Sequence, residues 1–311
     1  MKQPQWCGPD DGSEGMTNKA SSEKVVKLGI PAGSLQKATI ELFGKAGFHI
    51  LDSERSYFPR VDDGQVRLIM LRAQEMSRYV EDGVLDAGIT GYDWIMENGS
   101  DVVEVCELAY SKATGNPARW VLAVPDESQV KCIEDLAGGI IATELVSVTR
   151  RYFEDKNVNV KVEFSWGATE VKARLVDAIV ELTETGSSLR ANNLRVIDDV
   201  ICSTTRFIAN KQAWDDEFKR EKIENITILL QAAIEARSKV GLKMNIKKGD
   251  LACILNILPS EKSPTISPLA DSEYVALEVI VEDKIERSLV PALKRAGASG
   301  IITYPLNKVI H

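Results

Sequence analysis

From about residue 24 to residue 212, short apolar runs alternate with amphipathic stretches, and glycine marks several of the junctions. That alternation predicts strands in largely parallel sheets with helices packed over them. Sheets of this kind present their ligand-binding loops at the carboxyl ends of the strands. The first unit reads as a strand at 24–30, a loop at 31–35 carrying Gly33 and Ser34, a helix from 35 to 46 closed by Gly47, and a strand at 48–51. Further strands are predicted at 66–71, 84–91, 102–108, 119–125, 139–145, 160–164, 195–203 and 205–210. Helices are predicted at 72–82, from 92, and at 148–156, with short helical turns at 133–136 and within 167–172. An amphipathic helix at 214–237 follows, with Phe218, Ile223, Ile226, Leu229, Leu230, Ala233 and Ile234 on one broad side. It reads as a bridge to a compact β-α-β-β-α-β unit at 240–304, the ferredoxin-like order.

One junction stands out. The apolar run 175–180 reads as a buried strand, and a short helix begins near Leu189. Between them lie Glu181, Thr183, Glu184, Thr185, Gly186, Ser187 and Ser188. Free backbone amides at a helix start attract anions, and Gly186 lets a ligand approach the backbone. The two carboxylates suit a ligand that also carries hydroxyls or a divalent metal. A phosphorylated sugar satisfies both halves of the pattern; a Ser-capped helix with solvated acids reads the same way. The Gly33–Ser34 turn is a second candidate anion cradle. Arg55, Tyr57 and Arg60 read either as cleft residues or as the solvated face of a hairpin.

Composition narrows the function classes. The net charge is −8 with no basic cluster, which argues against a nucleic-acid partner. No apolar run is long enough to span a bilayer, and the first residues lack a basic-then-apolar pattern, so a cytoplasmic protein is expected. Five scattered cysteines form no CxxC pair, and the only histidines are His49 and His311. Neither a disulfide framework, a zinc site nor a histidine-dependent relay is indicated. Residues 1–23 read as a disordered tail or expression remnant.

The segment from Asp177 to Asn192 is similar to the phosphoribosyl pyrophosphate signature of the ATP phosphoribosyltransferases, and the chain resembles the long form of that family over residues 25–311. Supporting stretches are 82–91, 119–125, 263–270 and 297–301. The resemblance implies an α/β fold: two lobes of the type II periplasmic-binding-protein kind plus a C-terminal ferredoxin-like regulatory domain of the ACT type. It implies lobe I at 24–112 and 196–212, lobe II at 113–195, a linking helix at 213–237 and the regulatory domain at 238–311. It further implies condensation of ATP with phosphoribosyl pyrophosphate in the presence of Mg²⁺, inhibition by histidine, and a homo-oligomer between dimer and hexamer. Carried over residue by residue, Glu181 and the loop from Thr183 through Glu184, Thr185, Gly186, Ser187 and Ser188 to Leu189 would hold the sugar phosphate. Arg55 and Arg72 would be catalytic. Gly33, Ser34, Gly91, Thr143, Glu144 and Leu145 would line the ATP and pyrophosphate cleft. Glu181 and Glu184 are the metal candidates, and Asn245, Thr265, Ala298 and Ser299 the histidine contacts. The chain departs from the family pattern at Glu181, where Asp is usual, at Ser188, where Thr is usual, and beside Gly33, where a basic residue is usual. The rival readings are a two-lobed binding or sensor protein and a paralogue without turnover.

Overall fold

The computed structural model describes residues 24–51, 56–110, 117–259 and 264–310. Residues 1–23 and the candidate catalytic Arg55 lie outside the described residues.

The first lobe contains β1 (Val26–Ala32), α1 (Gln36–Ala46), β2 (Ile50–Leu51), β3 (Arg60–Val61), β4 (Val66–Arg72), α2 (Ala73–Glu81), β5 (Ala87–Gly91), α3 (Tyr92–Asn98) and β6 (Val103–Glu107). The second contains β7 (Ala118–Pro125), β8 (Ile140–Thr143), α4 (Val146–Asp155), β9 (Lys161–Phe164), α5 (Thr169–Lys172), β10 (Ala178–Thr183), α6 (Ser187–Ala191) and β11 (Leu194–Ser203). The chain then returns to the first lobe as β12 (Thr205–Ala209). The first sheet has the order β4-β1-β5-β12-β6, so the returning strand enters between the third and fourth main strands. The second has the order β11-β7-β10-β8-β9. These are lobes of the type II periplasmic-binding-protein kind.

Central strands show why the sheets form. Residues 28–31 of β1 are buried in succession, as expected for a strand covered by helices on both faces. Gly29 and Gly88 both make room for the buried Met76 of α2. A Cβ on Gly29 would overlap Met76 Sδ and come within 2.7 Å of Leu85 Cδ1, and one on Gly88 would stand 2.8 Å from Met76 Sδ. The cost of glycine in a strand is thus exchanged for close helix–sheet packing.

Several boundaries differ from expectation for identifiable reasons. Pro31 and Ala32 belong to β1, because the parallel register with β4 continues to Ala32↔Arg72. Glu181 and Thr183 belong to β10 rather than to a loop, since that strand stays paired with β7 as far as Thr183↔Arg119. The lobe boundary expected at 195/196 moves to Thr204, because β11 pairs with β7 from Leu194↔Pro125 to Ser203↔Ala118. The helix expected at 214–237 is two, α7 (Lys211–Asp215) and α8 (Glu217–Glu235). Asp216 leaves helical geometry between them and accepts from Lys219 N at 2.9 Å, an N-cap that restarts the helix. Nor is α8 a free bridge: Ile223, Ile226, Leu230 and Ala233 complete the first lobe's core with Val26, Leu28 and Phe43.

The C-terminal unit runs β13 (Lys239–Lys247), α9 (Leu251–Ile257), β14 (Thr265–Pro268), β15 (Tyr274–Glu282), α10 (Asp283–Arg295) and β16 (Ser299–Pro305). Its sheet order, β14-β15-β13-β16, is ferredoxin-like. Leu242, Met244, Ile246, Leu277 and Leu293 fill the core under the two helices.

Gly29→Ala is expected to destabilise the chain by about 1–3 kcal/mol through overpacking against Met76. Adding Met76→Ala should recover part of that loss, as coupled neighbours do. Urea unfolding followed by circular dichroism checks both, and simple additivity of the two losses would refute the packing argument.

Candidate active site

The lobes face each other across a cavity of about 320 Å³, lined by Ser34, Arg72, Gln74, Gly91, Asp93 and Trp94 from the first and by Trp120, Glu144, Glu181, Glu184 and Ser203 from the second. Ser34, Arg72 and Gly91 lie at or just beyond the carboxyl ends of β1, β4 and β5. Parallel strands bring these ends together, although the residues are far apart in sequence. Gly33 lies beside Arg72, whose Nη1 would be 3.7 Å from a Cβ placed there.

On the second lobe, β10 runs apolar and buried through Val180 and then turns polar. Thr183 Oγ1, itself buried, accepts from Gly186 N at 2.8 Å and closes the turn. Gly186 has φ of +70°, a conformation glycine adopts without strain. Thr185 Oγ1 donates to Ser187 Oγ at 3.0 Å, and Arg190 Nη2 donates to Thr185 O at 3.0 Å. Ser188 Oγ donates to Glu170. Leu189 is buried in the core with Val121, Ile179 and Leu194, so its side chain anchors α6 and only its amide faces outward chemistry. Thr143 and Leu145 are also fully buried, with Leu145 N donating to Thr143 Oγ1 at 3.0 Å. Of that trio, Glu144 alone reaches the cavity lining.

Glu181 is half-buried at the cleft. Burial pushes its carboxyl up to about 7, with Glu170 and Glu144 adding to the rise. Its Oε1 accepts from Leu182 N at 2.9 Å. Glu144, Glu181 and Glu184 thus concentrate negative charge on one wall, opposite Arg72. Among the described residues no group of three or more His, Cys, Asp or Glu side chains is arranged to hold a metal on its own. Three carboxylates on one wall are hard oxygen donors, the chemistry a divalent cation takes.

The floor of the cavity holds residues that the sequence reading missed. Asp93 is buried in the first turn of α3. It accepts from Trp120 Nε1 at 2.6 Å, from Ser203 Oγ at 2.8 Å and from Trp94 N at 3.1 Å. Desolvation raises its pKa. In sequence, an acid at a helix start reads as a favourable charge on the helix dipole. Only the return of β11 to the crossover reveals its partners. Thr204, at that crossover, lines the cavity, while its hydroxyl is buried without a hydrogen-bond partner among the described residues.

In the C-terminal unit the structure brings together three of the four candidate residues. Asn245 pairs with Ser299, whose Oγ donates to Asn245 O at 3.1 Å, and Ala298 is buried beside them. Thr265, on β14, pairs with Glu278 and so lines up with Lys243 across β15; two inter-strand spacings and two residues along the strand separate it from Asn245, about 12 Å.

Fold and cleft together define a two-lobed α/β enzyme with a cleft between its lobes and a ferredoxin-like domain appended. The model of the ATP phosphoribosyltransferase family matches residues 72–232, and that of the HisG C-terminal domain matches residues 236–308. An ATP phosphoribosyltransferase of Chlorobium chlorochromatii is 57% identical over 292 residues, covering 94% of this chain and 99% of that protein. One of Pelotomaculum thermopropionicum is 56% identical over 286 residues, covering 92% and 99%. The solved ATP phosphoribosyl transferase (HisG:HisZ) complex from Thermotoga maritima includes a chain 30% identical, with a TM-score of 0.58, over 68% of this chain and 99% of that one. The chain belongs to the ATP phosphoribosyltransferase family, which are pentosyltransferases.

Because the folded state holds the Glu181 proton more tightly than the unfolded chain does, its contribution to stability is full below about pH 4.5 and is lost as pH rises through about 7. Glu181→Gln removes that dependence. Its urea midpoint should exceed that of the parent at pH 8, while the gap narrows at pH 5; equal midpoints at both pH values would contradict the burial argument.

Proposed function

We propose that the chain condenses ATP with phosphoribosyl pyrophosphate to give N1-phosphoribosyl-ATP and pyrophosphate, the committed step of histidine biosynthesis, and that histidine bound to the C-terminal domain inhibits it. The observation that carries the reading is the Gly186 turn, which begins directly after the cleft-lining Glu184 in a chain that matches this family over nearly its full length.

Adenine N1 attacks the anomeric carbon while pyrophosphate departs, so positive charge grows on the ribose. No side-chain nucleophile is required; alignment and charge placement supply the acceleration. The outward amides of α6, with the hydroxyls of Thr185, Ser187 and Ser188, receive the 5-phosphate. In its ionised form Glu181 accepts from the ribose hydroxyls and faces the developing positive charge. Arg72 neutralises phosphate oxygens across the cleft. Magnesium would be shared between substrate phosphates and Glu181, Glu184 or Glu144, offsetting the anionic charge that a single lining arginine leaves uncompensated.

For regulation, the paired Asn245 and Ser299 with Ala298 form one polar corner for an amino acid. The open face of the same sheet exposes Ile280 (49%) and Ile302 (58%), which supports burial of this face between copies in a homo-oligomer.

The test mixes protein, ATP, phosphoribosyl pyrophosphate, Mg²⁺ and pyrophosphatase and follows the near-ultraviolet absorbance of the N1-substituted adenine, with and without histidine. A rise suppressed by histidine is expected. A rise insensitive to histidine would remove the regulatory assignment, and no rise with histidine still bound would make the chain a sensor without turnover. Gly186→Val should abolish the calorimetric signal of phosphoribosyl pyrophosphate and leave histidine binding unchanged; retained sugar-phosphate affinity would refute the loop's role.

A further inference from the structure

Helix α3 is continuous with the first lobe, yet one face of its seven residues is engaged with the second. Asp93 accepts from Trp120 Nε1 on β7 and from Ser203 Oγ on β11. Trp94 stands edge-on to Trp120, ring centroids 6.1 Å apart, and both Trp94 and Met96 pack against the second lobe's core. Arg151 of α4 donates to Met96 O. Glu97, four residues after Asp93 and so on the same face, accepts from Ser147 N and Val148 N at 2.9 Å each. Those are amides of the first turn of α4. The donors that would make the start of α4 an anion site are therefore occupied by a carboxylate from the opposite lobe.

We propose that α3 is a two-point clamp that sets the angle between the lobes, and that Asp93 and Glu97 are positioning residues for phosphoribosyl transfer. Asp93 is the buried point. Its carboxylate is satisfied chiefly by the second lobe, so separating the lobes there would strand a buried charge. Gly91 has no Cβ to collide with it; one placed there would overlap Asp93 Oδ1. Trp120 pairs directly with Leu182, the residue after Glu181. One carboxylate thus ties the strand bearing the sugar-binding acid to the end of β5 in the nucleotide-facing lobe. Glu97 is the peripheral point, which keeps α4 and the second sheet from rotating about Asp93.

The kinetic part of this inference rests on the proposed reaction. The Gly186 loop lies wholly in the second lobe, so a loosened clamp should misalign the two substrates without weakening the sugar phosphate's own site. Asp93→Asn keeps the size of the side chain but places an NH₂ among donors. We expect it to lower kcat about 100-fold, the cost of misalignment on the order of 1 Å. Glu97→Ala should lower kcat about tenfold and Glu97→Gln, which keeps one acceptor, about threefold or less. In all three variants the calorimetric Kd for phosphoribosyl pyrophosphate should stay within about threefold of the parent, a separation of binding from turnover that general loss of folding would not give. Unchanged kcat in Asp93→Asn and Glu97→Ala, or Kd and kcat failing together, would overturn the clamp. A readout independent of turnover uses a background with Trp6, Trp166 and Trp214 replaced by Phe, leaving the Trp94–Trp120 pair. There Asp93→Asn should shift the emission to the red as Trp120 loses its buried partner. If the parent protein shows no turnover, the proposed reaction fails, and this emission decides the clamp alone: an unshifted spectrum overturns it.

Discussion

Burying a carboxylate costs several kcal/mol unless donors surround it, and the principal side-chain donors around Asp93 belong to the opposite lobe. That condition ties the two sheets together at the floor of the cleft. With Trp120 held by Asp93, β7 is fixed against α3, and β10 is fixed against β7 by its ladder. Glu181 and the turn that follows it then take their places opposite Arg72 and Ser34. The cleft is a consequence of how one buried charge is satisfied at the point where the chain crosses back between lobes.

For the proposed polyanionic substrates the cleft is unusual, because its second wall carries three carboxylates. Coulomb repulsion at close range would oppose bare phosphates there. The raised pKa of Glu181 is the local sign of that crowding: desolvation leads, and Glu170 and Glu144 add to it. In the proposed reaction a divalent cation arriving with the substrates would reverse the balance, and ribose hydroxyls would give the carboxylates something to accept from. Geometry and charge thus agree with a substrate that is both sugar and phosphate.

Much of this was legible in the chain itself. The Gly186 turn between β10 and α6 could be read because its signals are local: an apolar run, hydroxyls, one glycine and a short helix. The ferredoxin-like order was equally local, and the β-α-β-β-α-β succession expected there is the one that forms. Asp93, Trp120 and Ser203 were not legible as a group, because 110 residues separate the first from the last and each has a bland local reading. Leu189 and the pair Thr143 and Leu145 differ in another way. Motif reasoning placed them in the site, whereas their side chains are spent on packing and on closing a turn.

The amino-acid sequence by itself determined the alternation of strands and helices, the phosphate-type turn and the order of the domains, because period, capping and turn chemistry act within a few residues. Tertiary structure alone decided where one lobe ends. A ladder with β7, shifted in register at two points, holds β11 in the second lobe up to Ser203, and no local signal at residue 195 records it. Tertiary structure also decided that the amides opening α4 are capped by Glu97 from across the lobe boundary. Satisfying buried charges and orphan amides is a condition on the whole fold, and a chain meets it only after distant segments have been brought together.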